Sequence, residues 1–106
     1  MEPLKLLFMI VNAGFAEEVI SIAREAGARG ATILNARGEG AHHESFWGIT
    51  VDTEKEMILC VTDEQTAEKA VAVIKETAGI NTPAHSVCFV LPIEKVLGLS
   101  APTQTA

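Results

Sequence analysis

Residues 4–11 read Leu4-Lys5-Leu6-Leu7-Phe8-Met9-Ile10-Val11 and are apolar almost without interruption. A strand with one covered face alternates apolar and polar residues, whereas a strand covered on both faces is a nearly continuous apolar run. We therefore expect a central β-strand here. At 106 residues the chain is long enough for one domain with one core and too short for two. We assign residues 1–99 to that domain and residues 100–106 to a flexible tail.

Helices and strands continue in a regular order along the chain. A turn at residues 12–14 ends the first strand, and apolar residues then recur at helical spacing until Gly27, a natural helix stop. Further strands are predicted at residues 31–36, 57–62 and 87–91.

A second helix is predicted between the last two of these strands. Thr62 begins it in a capping-box pattern, with Gln three positions later, and Gly79 ends it. We expect a polar turn at residues 52–56, a short ribbon at residues 49–51 and a short helical turn at residues 92–97.

The order strand, helix, strand, strand, helix, strand predicts an α+β fold. It is the ferredoxin-like βαββαβ sandwich, an antiparallel four-stranded sheet with two helices on one face. Because the first and third strands are apolar on both faces while the helices cover only one, the second face needs a cover. We predict that another subunit supplies it, so that the chain self-associates.

Composition and charge exclude several classes of function. The chain has 8 Lys and Arg against 14 Asp and Glu, a net charge of −6, and no basic cluster, which excludes a nucleic-acid-binding surface. No apolar run is long enough to span a membrane and no cleavable leader is recognisable, so we expect a cytoplasmic protein without stable membrane insertion. Cys60 and Cys88 lie in apolar strands and are expected to be structural thiols, so we do not expect an enzyme.

The clearest functional signal is the strand at residues 31–36, which runs into the turn Gly38-Glu39-Gly40. Glycine lets backbone N–H groups approach a ligand closely, so such a turn can hold an anion or a nucleotide. The following residues, up to Gly48, have no helical or strand period and are expected to protrude as a loop. This loop is either a solvated polar segment or part of a metal site. The candidate metal ligands are His42, His43, Glu44 and His85.

Three segments resemble the PII family of nitrogen regulatory signalling proteins. They are Gly30-Ala31-Thr32 through Gly38-Glu39-Gly40 at the start of the family's T-loop, Glu76-Thr77-Ala78-Gly79-Ile80-Asn81-Thr82-Pro83 in its B-loop, and Phe89-Val90-Leu91-Pro92-Ile93-Glu94-Lys95-Val96-Leu97 in its C-terminal segment. Phe46-Trp47-Gly48 is similar to a step in the short-T-loop, PII-like branch. In this chain the T-loop corresponds to about residues 37–56 and the B-loop to about residues 79–86.

The resemblance implies a homotrimer that binds a small effector, typically an adenine nucleotide, in the clefts between subunits. It also implies that the T-loop regulates a target protein, in nitrogen or carbon metabolism. Carried over residue by residue, the effector site would contain Thr32, Arg37, Gly38, Glu39 and Gly40 from the loop base, Cys60, Val61 and Thr62 from the third strand, and Gly79, Ile80, Pro83, Ala84 and His85 from the B-loop.

The chain departs from the family pattern at the phosphate contacts. Where nucleotide-binding members have one lysine and two arginines, this chain has Val87, Gly98 and Ser100. Each charge-assisted contact contributes roughly 1.5–3 kcal/mol. Three lost cations favour AMP or ADP over ATP, with Arg37 and His85 as the nearby cations. A metal-responsive PII-like protein that uses the loop histidines is the alternative function.

Overall fold

The computed structural model describes residues 3–38, 44–46, 49–51 and 53–98. In chain order the elements are β1 (Leu4–Asn12), α1 (Ala16–Glu25), β2 (Thr32–Gly38), β3 (Glu44–Phe46), β4 (Ile49–Val51), β5 (Thr53–Asp63), α2 (Glu64–Ala78) and β6 (Val87–Pro92). None of the helices in these ranges is long and apolar enough to cross a bilayer.

The long strands form one antiparallel sheet in the order β2-β5-β1-β6, so that β5 and β1 are its central strands. The short strands β3 and β4 pair with each other as a separate ribbon. Together with the two helices α1 and α2, this sheet is the predicted α+β, ferredoxin-like arrangement, and the prediction is confirmed.

The hydrophobic core lies between the helices and one face of the sheet. Leu7, Met9 and Val11 of β1 are fully buried and pack with Ile58 and Cys60 of β5. The helices complete this core with Ala16, Val19, Ile20, Ala23, Ala70, Ile74 and Ala78. Because so many of these side chains are alanine, the helix backbones can lie close to the sheet.

Side chains from β5 cap both helices. The Glu56 Oε1 atom accepts hydrogen bonds from the backbone N–H groups of Gly14 (3.0 Å) and Ala16 (3.2 Å) at the start of α1. The start of α2 differs from the prediction by one residue. The helix begins at Glu64, so the residue before its first turn is Asp63, whose carboxylate accepts from the Thr66 N–H at 2.8 Å. A carboxylate at this position also interacts favourably with the helix dipole.

The second face of the sheet carries no helix in the described part of the chain. We call it the open face, and its residues include Leu6, Phe8 and Ile10 of β1, Met57, Leu59 and Val61 of β5, and Val87, Phe89 and Leu91 of β6. The Phe8 and Phe89 rings meet edge to face, with centroids 5.8 Å apart. Phe89 nevertheless keeps 46% of its surface exposed. Within one chain, β1 is therefore fully covered on its helix face only.

Three local predictions are corrected by the structure. Residues 53–56 are not a turn, because β2 extends to Gly38 and pairs with them as the first part of β5. The ribbon at residues 49–51 is present, but its partner is β3, in a region where the sequence shows no strand period. Residues 93–97 form no helical turn, because β6 pairs with β1 up to Pro92 and the Ile93 N–H still donates to the Leu4 carbonyl (3.3 Å).

Candidate functional site

Three segments meet at one end of the sheet, which we call the loop end. β1 ends there at Asn12, β5 begins there at Thr53, and β2 ends there at Gly38. The B-loop reaches the same end, because β6 starts at Val87 opposite Ile10. The fold thus brings the B-loop to the same end of the sheet as the segment that connects β2 to β5, with β1 and β5 lying between the B-loop and β2.

The B-loop is a compact turn held by its own backbone. The Thr82 N–H and hydroxyl both donate to the Gly79 carbonyl, at 3.0 and 2.8 Å. The His85 N–H donates to Thr82, and the Ser86 N–H donates to Ala78 at the end of α2. His85 has φ of +49°, in the left-handed region that few residues other than glycine adopt. These internal hydrogen bonds define the shape of the segment.

Gly79 is required by packing at the start of this turn. A Cβ atom at position 79 would overlap the backbone carbonyl oxygen of Lys75 in the last turn of α2. Backbone cannot move aside as a flexible side chain can, so only glycine fits here.

Asn12 joins the B-loop to the beginning of β5. Its backbone N–H donates to the Ala84 carbonyl at 2.9 Å, and its side-chain Nδ2 donates to the Pro83 carbonyl at 2.8 Å. Its Oδ1 accepts from the Lys55 Nζ at 2.6 Å. Beside it, the Ala13 N–H donates to the Glu54 carbonyl at 3.1 Å. Asn12 and Lys55 were absent from the predicted site.

The base of the T-loop carries both signs of charge. Arg37 in β2 lies opposite Glu54 in β5, and both line a shallow open depression with Asn35 and Ala36. The Arg37 side chain is exposed at this edge. Glu39 and Gly40, which the sequence analysis places in the same site, lie outside the described residues.

The remaining predicted site residues lie at the other end of the sheet. Thr32 begins β2, and Cys60, Val61 and Thr62 belong to the last part of β5. Lys55 and Thr62 are separated by seven residues of strand, which corresponds to about 23 Å. The structure therefore does not bring the two groups together within one chain.

Burial makes both thiols poor nucleophiles. Desolvation raises the pKa of the Cys60 thiol, with a smaller opposite effect from the Arg24 charge. Desolvation alone raises the pKa of Cys88 to about 11. Because the thiolate is the reactive form, both groups are protonated and inert at neutral pH.

The family model described as nitrogen regulatory protein P-II matches residues 4–101. The chain belongs to the P-II family. The resemblance inferred from three sequence segments is confirmed, and the family is a regulatory one.

Individual relatives of this P-II chain agree with the family match. The glnB-like protein 1 of the nitrogen fixation nifHD region of Methanococcus maripaludis is 26% identical over 98 residues, covering 87% of this chain and 90% of that protein. A PII-like signalling protein from Thermus thermophilus superposes with a TM-score of 0.66 at 20% identity, covering 87% of this chain and 88% of that one. The B. subtilis GlnK–ATP complex superposes with a TM-score of 0.67 at 14% identity, covering 87% and 85%. These structures show that the fold is shared.

The alternative metal site of the P-II chain stays a prediction. His42 and His43 lie outside the described residues, Glu44 begins β3, and His85 lies in the B-loop. Among residues 3–38 and 53–98, no group of three or more histidine, cysteine or carboxylate side chains is placed to hold a metal ion.

The sequence signals for Asn12 and Lys55 were weak. Neither belongs to a motif, and the segment Glu54-Lys55-Glu56 looks like a solvated turn. Charged residues directly before the apolar run that begins at Met57 can also be the exposed end of the same strand. That pattern was the only sign that these residues belong to the sheet.

Proposed function

We propose that the chain forms a homotrimer that binds a small effector, an adenine nucleotide, in the clefts between its subunits. Effector binding regulates a target protein in nitrogen or carbon metabolism through the T-loop. The observation that carries this proposal is the open face, an apolar sheet surface that one chain leaves uncovered.

The apolar character of the open face supports another copy of this chain as the partner that covers it. Phe89, Val87 and Leu91 are each at least 41% exposed, and half-buried apolar residues of β1 and β5 continue the patch. Contiguous apolar surfaces of this kind mark interaction sites. Each copy carries a net charge of −6, which opposes contact between acidic surfaces. The open face is uncharged except at its ends, so copies meet there without that repulsion.

An inter-subunit cleft accounts for the two separated groups of predicted site residues. Arg37 and the B-loop lie at one end of the sheet, and Thr32 with residues 60–62 lies at the other. A single nucleotide reaches both groups only if they come from different chains. In that cleft the B-loop and Arg37 of one subunit contact the phosphates, and the neighbour's strand end contacts the base.

The cations near this site favour an effector with few phosphates. Val87, where the family pattern has a lysine, lies on the open face opposite Ile10 and adds to the subunit contact instead. Of the predicted phosphate contacts, Arg37 and His85 remain at the site, and the nearby Lys55 ammonium is bonded to Asn12, so AMP or ADP is preferred over ATP. The B. subtilis GlnK structure contains ATP, which supports an adenine nucleotide as the class of effector. A regulatory role is supported by the P-II family match, and the raised pKa values of both thiols do not favour a cysteine nucleophile.

Calorimetry with AMP, ADP and ATP on a preparation of known mass tests this proposal. Sedimentation equilibrium should give the mass of three chains, and ADP or AMP should bind more tightly than ATP. Arg37→Gln should weaken binding by about tenfold, because it removes one charge-assisted phosphate contact. Lys69→Gln on the exposed surface of α2 is the control, since it changes the net charge equally. A stable monomer, or a trimer that binds none of the three nucleotides, contradicts the proposal.

A further inference from the structure

We propose that Asn12 and Lys55 form a bridge that couples the position of the B-loop to the first residues of β5. Displacement of one then displaces the other. This inference rests on the proposed function, which places the effector beside these two elements. Asn12 and Lys55 are positioning residues in this scheme, because they act on the effector site through the segments they hold.

The hydrogen-bonding chemistry of the bridge requires an amide at position 12. A lysine ammonium can only donate, and the Pro83 carbonyl can only accept. The Asn12 amide meets both needs at once, with Oδ1 at 2.6 Å from Lys55 Nζ and Nδ2 at 2.8 Å from the Pro83 oxygen. A carboxylate would lack the donor, and an apolar residue would lack both groups.

Main-chain hydrogen bonds hold the same two elements against the end of β1. The Asn12 N–H reaches Ala84 in the B-loop, and the Ala13 N–H reaches Glu54 in β5. The end of β1 is thus fixed between the B-loop on one side and β5 on the other. Asn12 bonds to both elements, so a shift of the B-loop that moves Asn12 also moves its hydrogen-bond partner Lys55.

Among the described residues, no charged side chain competes with Asn12 for the Lys55 ammonium group. Glu56, its neighbour in β5, already accepts two N–H groups at the start of α1, Gly14 and Ala16. Lys55 makes no ion pair within the described ranges, and its half-buried ammonium has Asn12 as its acceptor. A half-buried charge bonded to one amide is held more strongly than an exposed one.

Amide hydrogen exchange tests the bridge in the free protein. The reporters are His85 and Ser86, whose N–H groups donate to Thr82 and Ala78. Lys55→Met should raise their exchange rates by about fivefold, because the loss of a charge-assisted bond loosens Asn12 and with it the B-loop. Lys69→Met on α2 is the matched control and should change neither. Unchanged exchange at residues 85–86 in Lys55→Met overturns the proposal.

A second variant separates the two halves of the bridge. Asn12→Asp keeps an acceptor for Lys55 and removes the donor to Pro83. It should raise exchange at residues 85–86 while leaving residues 54–56 as protected as in the wild type. Wild-type exchange in both segments would show that the Pro83 bond carries no coupling.

ADP is the probe for the role of the bridge in effector binding. In the wild type, ADP should change exchange both in residues 79–86 and in residues 53–56. In Lys55→Met, the change should be confined to residues 79–86. An equal response of both segments in Lys55→Met overturns the bridge. If the wild type responds to no nucleotide, the proposed function is contradicted. If exchange at residues 85–86 is nevertheless faster in Lys55→Met, the bridge is still supported.

Discussion

Replacing Phe89 by aspartate tests whether the open face is a subunit interface. Phe89 lies at the centre of edge strand β6, packs edge to face on Phe8, and keeps 46% of its surface exposed in one chain. Full burial of a phenylalanine side chain contributes about 1.5–3 kcal/mol. The part left to a neighbouring subunit is therefore about 1 kcal/mol. Losing the aromatic pair with Phe8 costs about 0.5–1.5 kcal/mol of folding stability in each chain and does not change the association energy, because the pair lies within one chain.

The charge of the aspartate is the larger effect. An unpaired carboxylate buried in an apolar interface costs several kcal/mol, so the total is on the order of 5 kcal/mol for each copy. A trimer contains the substitution three times, and association should be abolished at micromolar concentration. Sedimentation velocity measures this directly, as a change from the mass of three chains to the mass of one.

Val73→Asp is the matched control for this experiment. Val73 is 40% exposed on α2 and undergoes the same chemical change on the opposite side of the molecule. It should leave the assembly intact. If both variants sediment as the wild type does, or if both dissociate, the reasoning that assigns the subunit contact to the open face is refuted.

Three further predictions concern stability. Gly79→Ala should lower the free energy of unfolding in urea by about 1–3 kcal/mol, because its Cβ would overlap a carbonyl of α2. Gly30→Ala is the control, since nothing lies within 4 Å of the added Cβ, and it should cause no such loss. Equal unfolding midpoints for the two variants would contradict this prediction. Glu56→Ala should lower the free energy of unfolding by about 1–2 kcal/mol in the same assay, because the α1 cap is lost. Glu54→Ala should lower it little, because the backbone carbonyl that accepts from the Ala13 N–H is kept. Burial raises the pKa of the Cys88 thiol from 9.0 to about 11, so its contribution to stability should be fully present below pH 9 and be lost as the pH rises from 9.0 to about 11. Cys88→Ala should reduce this fall, and an unchanged pH profile would show that Cys88 is not its source.

The sheet and its helices could be predicted from periodicity because their patterns are long. In the sequence, residues 4–11 of β1 are apolar except for Lys5, and both helices carry clear apolar stripes that end at glycine. Patterning also indicated the uncovered face, since strands that are apolar on both sides cannot be covered by helices on one side.

The ends of strands could not be predicted in this way. Residues 53–56 are polar, and their strand conformation depends on β2 being available as a partner, a contact between segments distant in sequence. Lys55 and Glu56 consequently look like turn residues although they bond to Asn12 and to the start of α1. The separation of the predicted site residues into two groups depends on strand direction and register, which no local motif encodes.

Glu54, Lys55 and Glu56, near the start of β5, limit which part of the chain can be replaced when the T-loop is exchanged between relatives. Glu54, Lys55 and Glu56 each hold a different part of the segment from Asn12 to Ala16, so deletions or grafts that include them would disturb the rest of the domain. Chain length and composition can vary between Gly38 and Thr53 without breaking any of these contacts. Variants that test the proposed role of the T-loop in target binding should therefore be made by splicing between those two residues, with residues 53–56 kept as part of the scaffold.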